Sequence, residues 1–200
     1  MTETLAPKRQ ITRADILSME EYGRERREMR RDLVQKKKLR RLEVGPVATF
    51  YFENYETMWH QIHEMLHIEK GGEEQIADEL AAYNPLIPQG RELVATVMFE
   101  IDEPKRRATF LAKLGGVEET MFLEVEGTRA MSKPEADVDR TTADGKASSV
   151  QFVHFPMTDE QAKAFKTAGA RVILGIDHPD YGHMVVLPEA VRAALAEDLD

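Results

Sequence analysis

Three histidines and Glu64 lie close together in the segment WHQIHEMLHIEK, residues 59–70. On a helix, where successive residues turn by about 100°, His60, Glu64 and His67 fall within about 60° of one another. His63 lies beside them. The opposite side of such a helix carries the apolar residues Met58, Trp59, Ile62, Met65 and Leu66. The segment therefore predicts an amphipathic helix with its apolar side toward the core and its His/Glu side facing away from it.

This polar side could hold a metal ion. The run His63-Glu64-x-x-His67 matches the short zinc-protease pattern, in which two imidazoles bind zinc and the glutamate is the general base. On this interpretation Glu64 is catalytic, His63 and His67 are ligands of Zn or Fe, and a distant segment supplies a third ligand. No metzincin extension follows, and a single Glu-x-x-His pair excludes a symmetric di-iron site. The alternative is a solvated polar face without a metal.

A second polar cluster, GIDHPDYGH, spans residues 175–183 and contains His178, the candidate third ligand. Pro179 restricts the backbone and Gly182 relieves it, so the segment predicts a turn between two strands. A joint site requires His178 to converge with His63 and His67 on one pocket. A hairpin turn with polar side chains in solvent is the alternative.

The elements that must position these residues alternate between strand-like and helix-like segments. Residues 93–101 and 150–155 have the composition of strands, and His154 is expected to be a packed or edge histidine there. Asn54 can cap a helix that runs to Lys70. About six strands and five or six helices follow along the chain. We therefore predict an α+β fold with one mostly antiparallel sheet, a mixed sheet being the alternative.

A long helix is predicted near the N-terminus, starting at Ser18 with Glu21 in the pattern of a capping box and continuing to about Leu42. Its apolar residues are sparse, and charges of both signs alternate along it. Residues 1–43 hold 13 Lys/Arg against 8 Asp/Glu, whereas the remaining residues hold 14 against 28. The sequence therefore predicts a basic helical arm, residues 1–43, attached to a single acidic α+β domain, residues 44–200.

Composition excludes several classes of protein. The 200 residues include no cysteine, which excludes disulfides, thiolate metal sites and cysteine nucleophiles. The apolar runs are strand-sized and nothing resembles a signal peptide, so we expect a cytoplasmic protein without membrane spans. The basic run KKKLRR, residues 36–41, is followed by no aromatic stacking platform, and the rest of the chain is acidic. This pattern favours a homo-oligomer or an acidic protein partner, contacted through residues 1–43, over nucleic acid.

Three runs of the sequence carry a family resemblance: residues 52–101, beginning FENYETMWHQIHEML, then GKASSVQFVHF, then GIDHPDYGH. They resemble an uncharacterised bacterial family of unknown function, and the resemblance covers nearly the whole chain. It implies a bacterial cytoplasmic setting with rubrerythrin-type and other redox genes as neighbours. It implies no activity, cofactor or catalytic residue.

Two functional hypotheses follow. The first is a non-enzymatic binding or accessory protein, in a bacterial redox or oxidative-stress context, that self-associates or binds a partner through its basic arm. The second is a metal-dependent enzyme that uses His63, Glu64 and His67.

Overall fold

The strand-like segments form two antiparallel sheets in the computed structural model, which describes residues 8–135 and 145–200. The first sheet has the order β1-β2-β3-β7-β6 and the second the order β5-β4-β8-β9. The strands are β1 (Arg41–Val44), β2 (Ala48–Glu53), β3 (Glu92–Phe99), β4 (Met121–Val125), β5 (Thr128–Met131), β6 (Lys133–Pro134), β7 (Val150–Pro156), β8 (Val172–His178) and β9 (Tyr181–Val186).

Six α-helices accompany these strands in the described ranges. They are α1 (Met19–Lys37), α2 (Tyr55–Glu69), α3 (Gly72–Tyr83), α4 (Pro104–Leu111), α5 (Asp159–Lys166) and α6 (Glu189–Ala196). None of them is both long enough and apolar enough to cross a bilayer. The predicted α+β class is confirmed, but the strands divide between two sheets instead of forming one.

The main hydrophobic core lies between the two sheets. Alternate residues of each strand point inward because side chains alternate across a strand, so Phe50 and Phe155 of the first sheet join Leu123 and Leu174 of the second. None of these four side chains is more than 1% exposed.

Tyr181 ties the two sheets together at one edge. Its hydroxyl donates a hydrogen bond to the Val44 carbonyl at 2.7 Å and accepts hydrogen bonds from the N–H groups of Val47 and Ala48. Gly45 lies in the turn between β1 and β2 with φ +71°, and a Cβ there would be 2.7 Å from the Tyr181 hydroxyl. The close approach and the left-handed backbone together require glycine at this turn.

A second core lies on the outer face of the first sheet, beneath α2 and α3. Ile62 and Leu66 of α2 pack there with Val94 of β3. Ile11 and Ile16, which precede α1, are 1% and 6% exposed in the same cluster. Residues 11–16, just before α1, are therefore part of the folded core.

Helix α1 begins where predicted but ends earlier. The Ser18 hydroxyl accepts the Glu21 N–H while the Glu21 carboxylate accepts the Ser18 N–H, which is the predicted capping box. The helix ends at Lys37, not near Leu42, because the following residues Arg41–Val44 pair with β2. The predicted boundary after residue 43 therefore falls inside β1, and the division into arm and domain stays a prediction.

Candidate functional site

The histidine-rich side of α2 is covered by α1, which runs antiparallel to it. Arg26 pairs with Glu64, and Lys36, further along α1, pairs with Glu56, nearer the start of α2. One turn before Arg26, the fully buried Tyr22 ring lies among four rings of α2. We call these four rings the tyrosine socket. The distances from the Tyr22 ring centroid to their centroids are 6.3 Å for Trp59, 6.1 Å for His60, 4.9 Å for His63 and 5.9 Å for His67.

His63 does not face solvent, so the prediction that it lies on an exposed polar side is wrong. Its side chain is completely buried because α1 and the segment before it cover this side of α2. The Nδ1 atom donates to the Trp59 carbonyl at 2.7 Å, and Nε2 accepts the Leu17 N–H at 3.0 Å. Both ring nitrogens are thus used, in a neutral imidazole with its proton on Nδ1, and the one ligating lone pair, on Nε2, is occupied by the Leu17 N–H.

Glu64, the predicted general base, is held by two partners. Arg26 binds its carboxylate with two hydrogen bonds of 2.7 and 2.8 Å, and the Tyr22 hydroxyl donates a third at 2.6 Å. The Arg26 guanidinium foremost lowers the pKa of Glu64 to about 2. A general base works best with a pKa near the operating pH, so this carboxylate is better suited to holding the two helices together.

The two remaining histidines of the socket differ in their surroundings. The Nε2 atom of His60 lies 3.4 Å from the Tyr22 hydroxyl, and burial lowers the pKa of this imidazole. His67 is half-buried and lies at the junction of two surface grooves. In the described ranges, no hydrogen bond engages the His67 ring.

The structure does not bring His178 to the predicted metal ligands on α2. His178 ends β8 in the second sheet, where Nδ1 accepts the Asp180 N–H at 3.2 Å and Nε2 lies 3.3 Å from the Gly115 carbonyl. Helix α2 lies on the opposite, outer face of the first sheet. Across residues 8–135 and 145–200, no three or more His, Asp or Glu side chains are grouped so that they could hold a metal ion. The hairpin turn predicted for this segment is confirmed, since His178 pairs with Tyr181.

The buried neutral His63 makes stability depend on pH. Burial lowers the pKa of His63 below its ordinary value near 6.5, so the unfolded chain takes up a proton that the folded chain resists. This contribution to the free energy of unfolding is complete above about pH 6.5 and is lost as the pH falls below it. We expect the wild-type protein to lose more stability between pH 7.5 and pH 5 than the His63→Gln variant, as measured by urea unfolding.

The matched control is His183→Gln, which removes an exposed histidine. It should reproduce the wild-type loss of stability between the two pH values. If His63→Gln and His183→Gln show the same pH dependence, the assignment of a neutral, buried His63 is incorrect.

His154 is part of an ionisable cluster that sequence spacing did not reveal. Its Nδ1 lies 3.0 Å from Glu92, and its Nε2 lies 2.8 Å from Glu135. Burial acts to lower the pKa of His154, but the hydrogen bonds to the two carboxylates outweigh it and the pKa is raised. The three residues are distant in sequence and meet only because β3, β6 and β7 are neighbours. The His154 side chain thus links Glu135, which follows β6, to Glu92 of β3 at this edge of the first sheet.

The outward side of α1 forms a basic groove with a volume of about 950 Å³. Exposed arginines from successive turns line it, namely Arg24, Arg27, Arg30 and Arg31. Arg31 has exposed ion-pair partners in Glu28 and Asp32, whereas Arg27 and Arg30 have no ion-pair partner within the described ranges. The sequence predicts the basic charge of this region, most evidently from the run at residues 36–41. The groove instead uses the preceding three turns of α1.

Comparisons with known proteins place the chain among proteins without an assigned activity. A family model described as "Protein of unknown function (DUF3501)" matches residues 10–199. A crystal structure of a protein of unknown function from Burkholderia pseudomallei is 36% identical, with a TM-score of 0.89. The match covers 96% of this chain and 100% of that one. No functionally curated protein matches.

Proposed function

The chain belongs to the DUF3501 family of unknown function, and we propose from its surface chemistry that it is a non-enzymatic binding protein. Its basic groove along α1 would hold an acidic protein partner. The observation that carries this proposal is the row of four exposed arginines, two of them without an ion-pair partner in the described ranges. Guanidinium groups bind carboxylates with two parallel hydrogen bonds, and arginines from successive helical turns present several such groups to one partner.

The arrangement of α1 supports the same proposal. Partly buried Arg26 and exposed Lys36 both pair with carboxylates of α2, so they orient α1 and leave the other arginines facing outward. The arginines thus project from a helix fixed by buried Tyr22 and Leu33. A fixed row of charges loses less conformational entropy on binding than a flexible basic tail would.

A bacterial redox context and a cytoplasmic location also belong to this proposal. They rest on the resemblance of residues 52–101 to a family with rubrerythrin-type gene neighbours. The chain has no cysteine, so thiol chemistry in that context would belong to the partner. The role we propose for this chain is binding.

Charge reversal in the groove tests the proposal. We expect the Arg27→Glu/Arg31→Glu double variant to bind a fluorescein-labelled twelve-residue glutamate peptide at least about tenfold more weakly than the wild type, because attraction is replaced by repulsion. Wild-type affinity should fall between 50 and 200 mM salt, since exposed charges are screened over about 8–10 Å. Fluorescence anisotropy measures both effects.

The matched control is Lys105→Glu/Arg106→Glu on α4, which makes the same change of net charge elsewhere on the surface. It should retain most of the wild-type affinity. Equal weakening by the two double variants would show a response to net charge alone and would reject the groove. Light scattering on the same samples identifies self-association, in which case a second copy of the acidic chain is the partner.

A further inference from the structure

A second groove adjoins the basic groove at His67. It has a volume of about 530 Å³ and lies between the segment before α1, the end of α2 and the start of α3. Its lining is mainly apolar, from Leu17, Met19, Leu66 and Ile76. His67 lines both grooves, so the two together offer one continuous surface.

The polar groups around the apolar groove are arranged asymmetrically. On one side Arg13 and Glu73 neutralise each other through a two-fold hydrogen-bonded ion pair of 2.5 and 2.8 Å. The groove also contains Lys70 and His67, which have no ion-pair partner in the described part of the chain. On the side nearer the basic groove, the apolar lining is thus accompanied by the positive charge of Lys70 and by the His67 imidazole, whose ring nitrogens make no hydrogen bond in the described ranges.

Leu17 is the apolar residue best placed to serve binding instead of folding. It is partly buried and belongs to neither of the two hydrophobic cores, although its backbone N–H is fixed by His63. The hydrogen bond thus fixes the backbone of Leu17 at the groove, and its side chain lines the groove outside both cores. An apolar side chain from a partner would remove it from water.

We propose that the two grooves form one bipartite site for an acidic peptide segment of a partner protein, with carboxylates on the α1 arginines and a large apolar side chain in the groove at Leu17. This inference rests on the proposed function and adds the apolar anchor to it. Arg24, Arg27 and Arg31 lie within eight residues and span about 10 Å along the helix axis, which exceeds the reach of one small anion. A chain with several carboxylates matches that length.

The test uses two labelled twelve-residue peptides of aspartate and glutamate, one with two leucines and the other with serines in their place. We expect the leucine peptide to bind the full-length protein at least about tenfold more tightly, because burying a leucine side chain is favourable by more than the equivalent of that factor. Leu17→Ser should reduce this leucine-dependent factor to below about threefold. Leu39→Ser, the same change at an exposed leucine outside both grooves, should leave it intact.

The outcomes separate this inference from the proposed function. If both peptides bind equally and Arg27→Glu/Arg31→Glu weakens both, the apolar anchor is rejected and the acidic-partner function stands. If neither peptide binds, both proposals are overturned. A single-stranded oligonucleotide of equal charge that binds as tightly as the leucine peptide would overturn the peptide assignment in favour of nucleic acid.

Circular dichroism and urea unfolding of each variant verify that the fold is retained.

A second substitution, Lys70→Asn, removes a cation at the groove. The backbone φ of Lys70 is +56°, a conformation that asparagine tolerates. It should weaken binding of the leucine peptide by about threefold while the leucine-dependent factor persists. An increase in affinity on loss of this cation would contradict the proposed orientation.

Discussion

Replacing Tyr22 by alanine is expected to lower the free energy of unfolding by about 3–5 kcal/mol, as for other buried aromatic side chains. The Tyr22 ring is 0% exposed and fills the tyrosine socket of α2, so its removal leaves a cavity bounded by aromatic rings. Its hydroxyl also donates to Glu64, and that hydrogen bond is lost. Urea or thermal unfolding of the variant measures the loss, and hydrogen exchange should show faster exchange throughout α1.

Two further variants at α1 separate the contribution of the Tyr22 ring to stability from that of its hydroxyl and from the effect of any substitution in this helix. Tyr22→Phe keeps the ring and removes only the hydroxyl, so it should cost about 0.5–1.5 kcal/mol. Arg24→Ala, at an exposed position of the same helix, should change stability by less than about 0.5 kcal/mol. A cost for Tyr22→Ala as small as that for Arg24→Ala would show that α1 is not held by the socket.

Replacing Asp198 by alanine is expected to destabilise the protein by about 3–5 kcal/mol, because it leaves a buried guanidinium without its counter-charge. Asp198 pairs with Arg40, and both side chains are only 8% exposed. Burial raises the pKa of Asp198 although Arg40 opposes the shift. Arg40 also donates to the backbone carbonyls of Phe52 and Glu53, so the pair joins the end of the chain to β2.

A double variant distinguishes a buried unpaired charge from a general loss of packing. Arg40→Met/Asp198→Leu removes both charges and should be less destabilised than Asp198→Ala alone, retaining only the cost of the two carbonyls that lose their donor. Glu28→Ala, which breaks the exposed pair with Arg31, should have an effect below about 1 kcal/mol. The expectation fails if the double variant is the least stable of the three.

Local sequence signals predicted most of the elements. Asn54 caps α2 and Thr158 caps α5, in each case by accepting the N–H three residues further on, as their residue types indicate. The strand that begins near Leu93 and the one that begins at Val150 were also predicted, because their apolar composition is itself the cause of their burial. These features depend on neighbours within a few residues.

Three short strands, β1, β5 and β6, were not predicted from the sequence. The predicted helix extends to about Leu42, but Arg41–Val44 pairs with β2 across the Gly45 turn and is a strand. The short strands β5 and β6 lie in a polar region and exist through pairing with β4 and β7. Four- and two-residue strands have too little intrinsic preference to be recognised alone, since their stability comes from the partner strand.

At the candidate site too, some features follow from local sequence and others depend on contacts between distant segments. The sequence by itself determined that His60, His63, Glu64 and His67 share one side of a helix, because helical spacing follows from the positions of the residues. It also determined the basic character of the N-terminal region, because charge is a property of composition.

Only the tertiary structure decided what that side of α2 faces. Tyr22 and Arg26, about 40 residues away, cover it, satisfy Glu64 and bury His63, so that histidines in a metal-binding pattern form a packing surface. The same packing turns Arg27 and Arg30 outward. Helical periodicity fixes which residues lie together on a surface, whereas burial and hydrogen-bond partners depend on contacts between distant segments, which spacing along the chain does not contain.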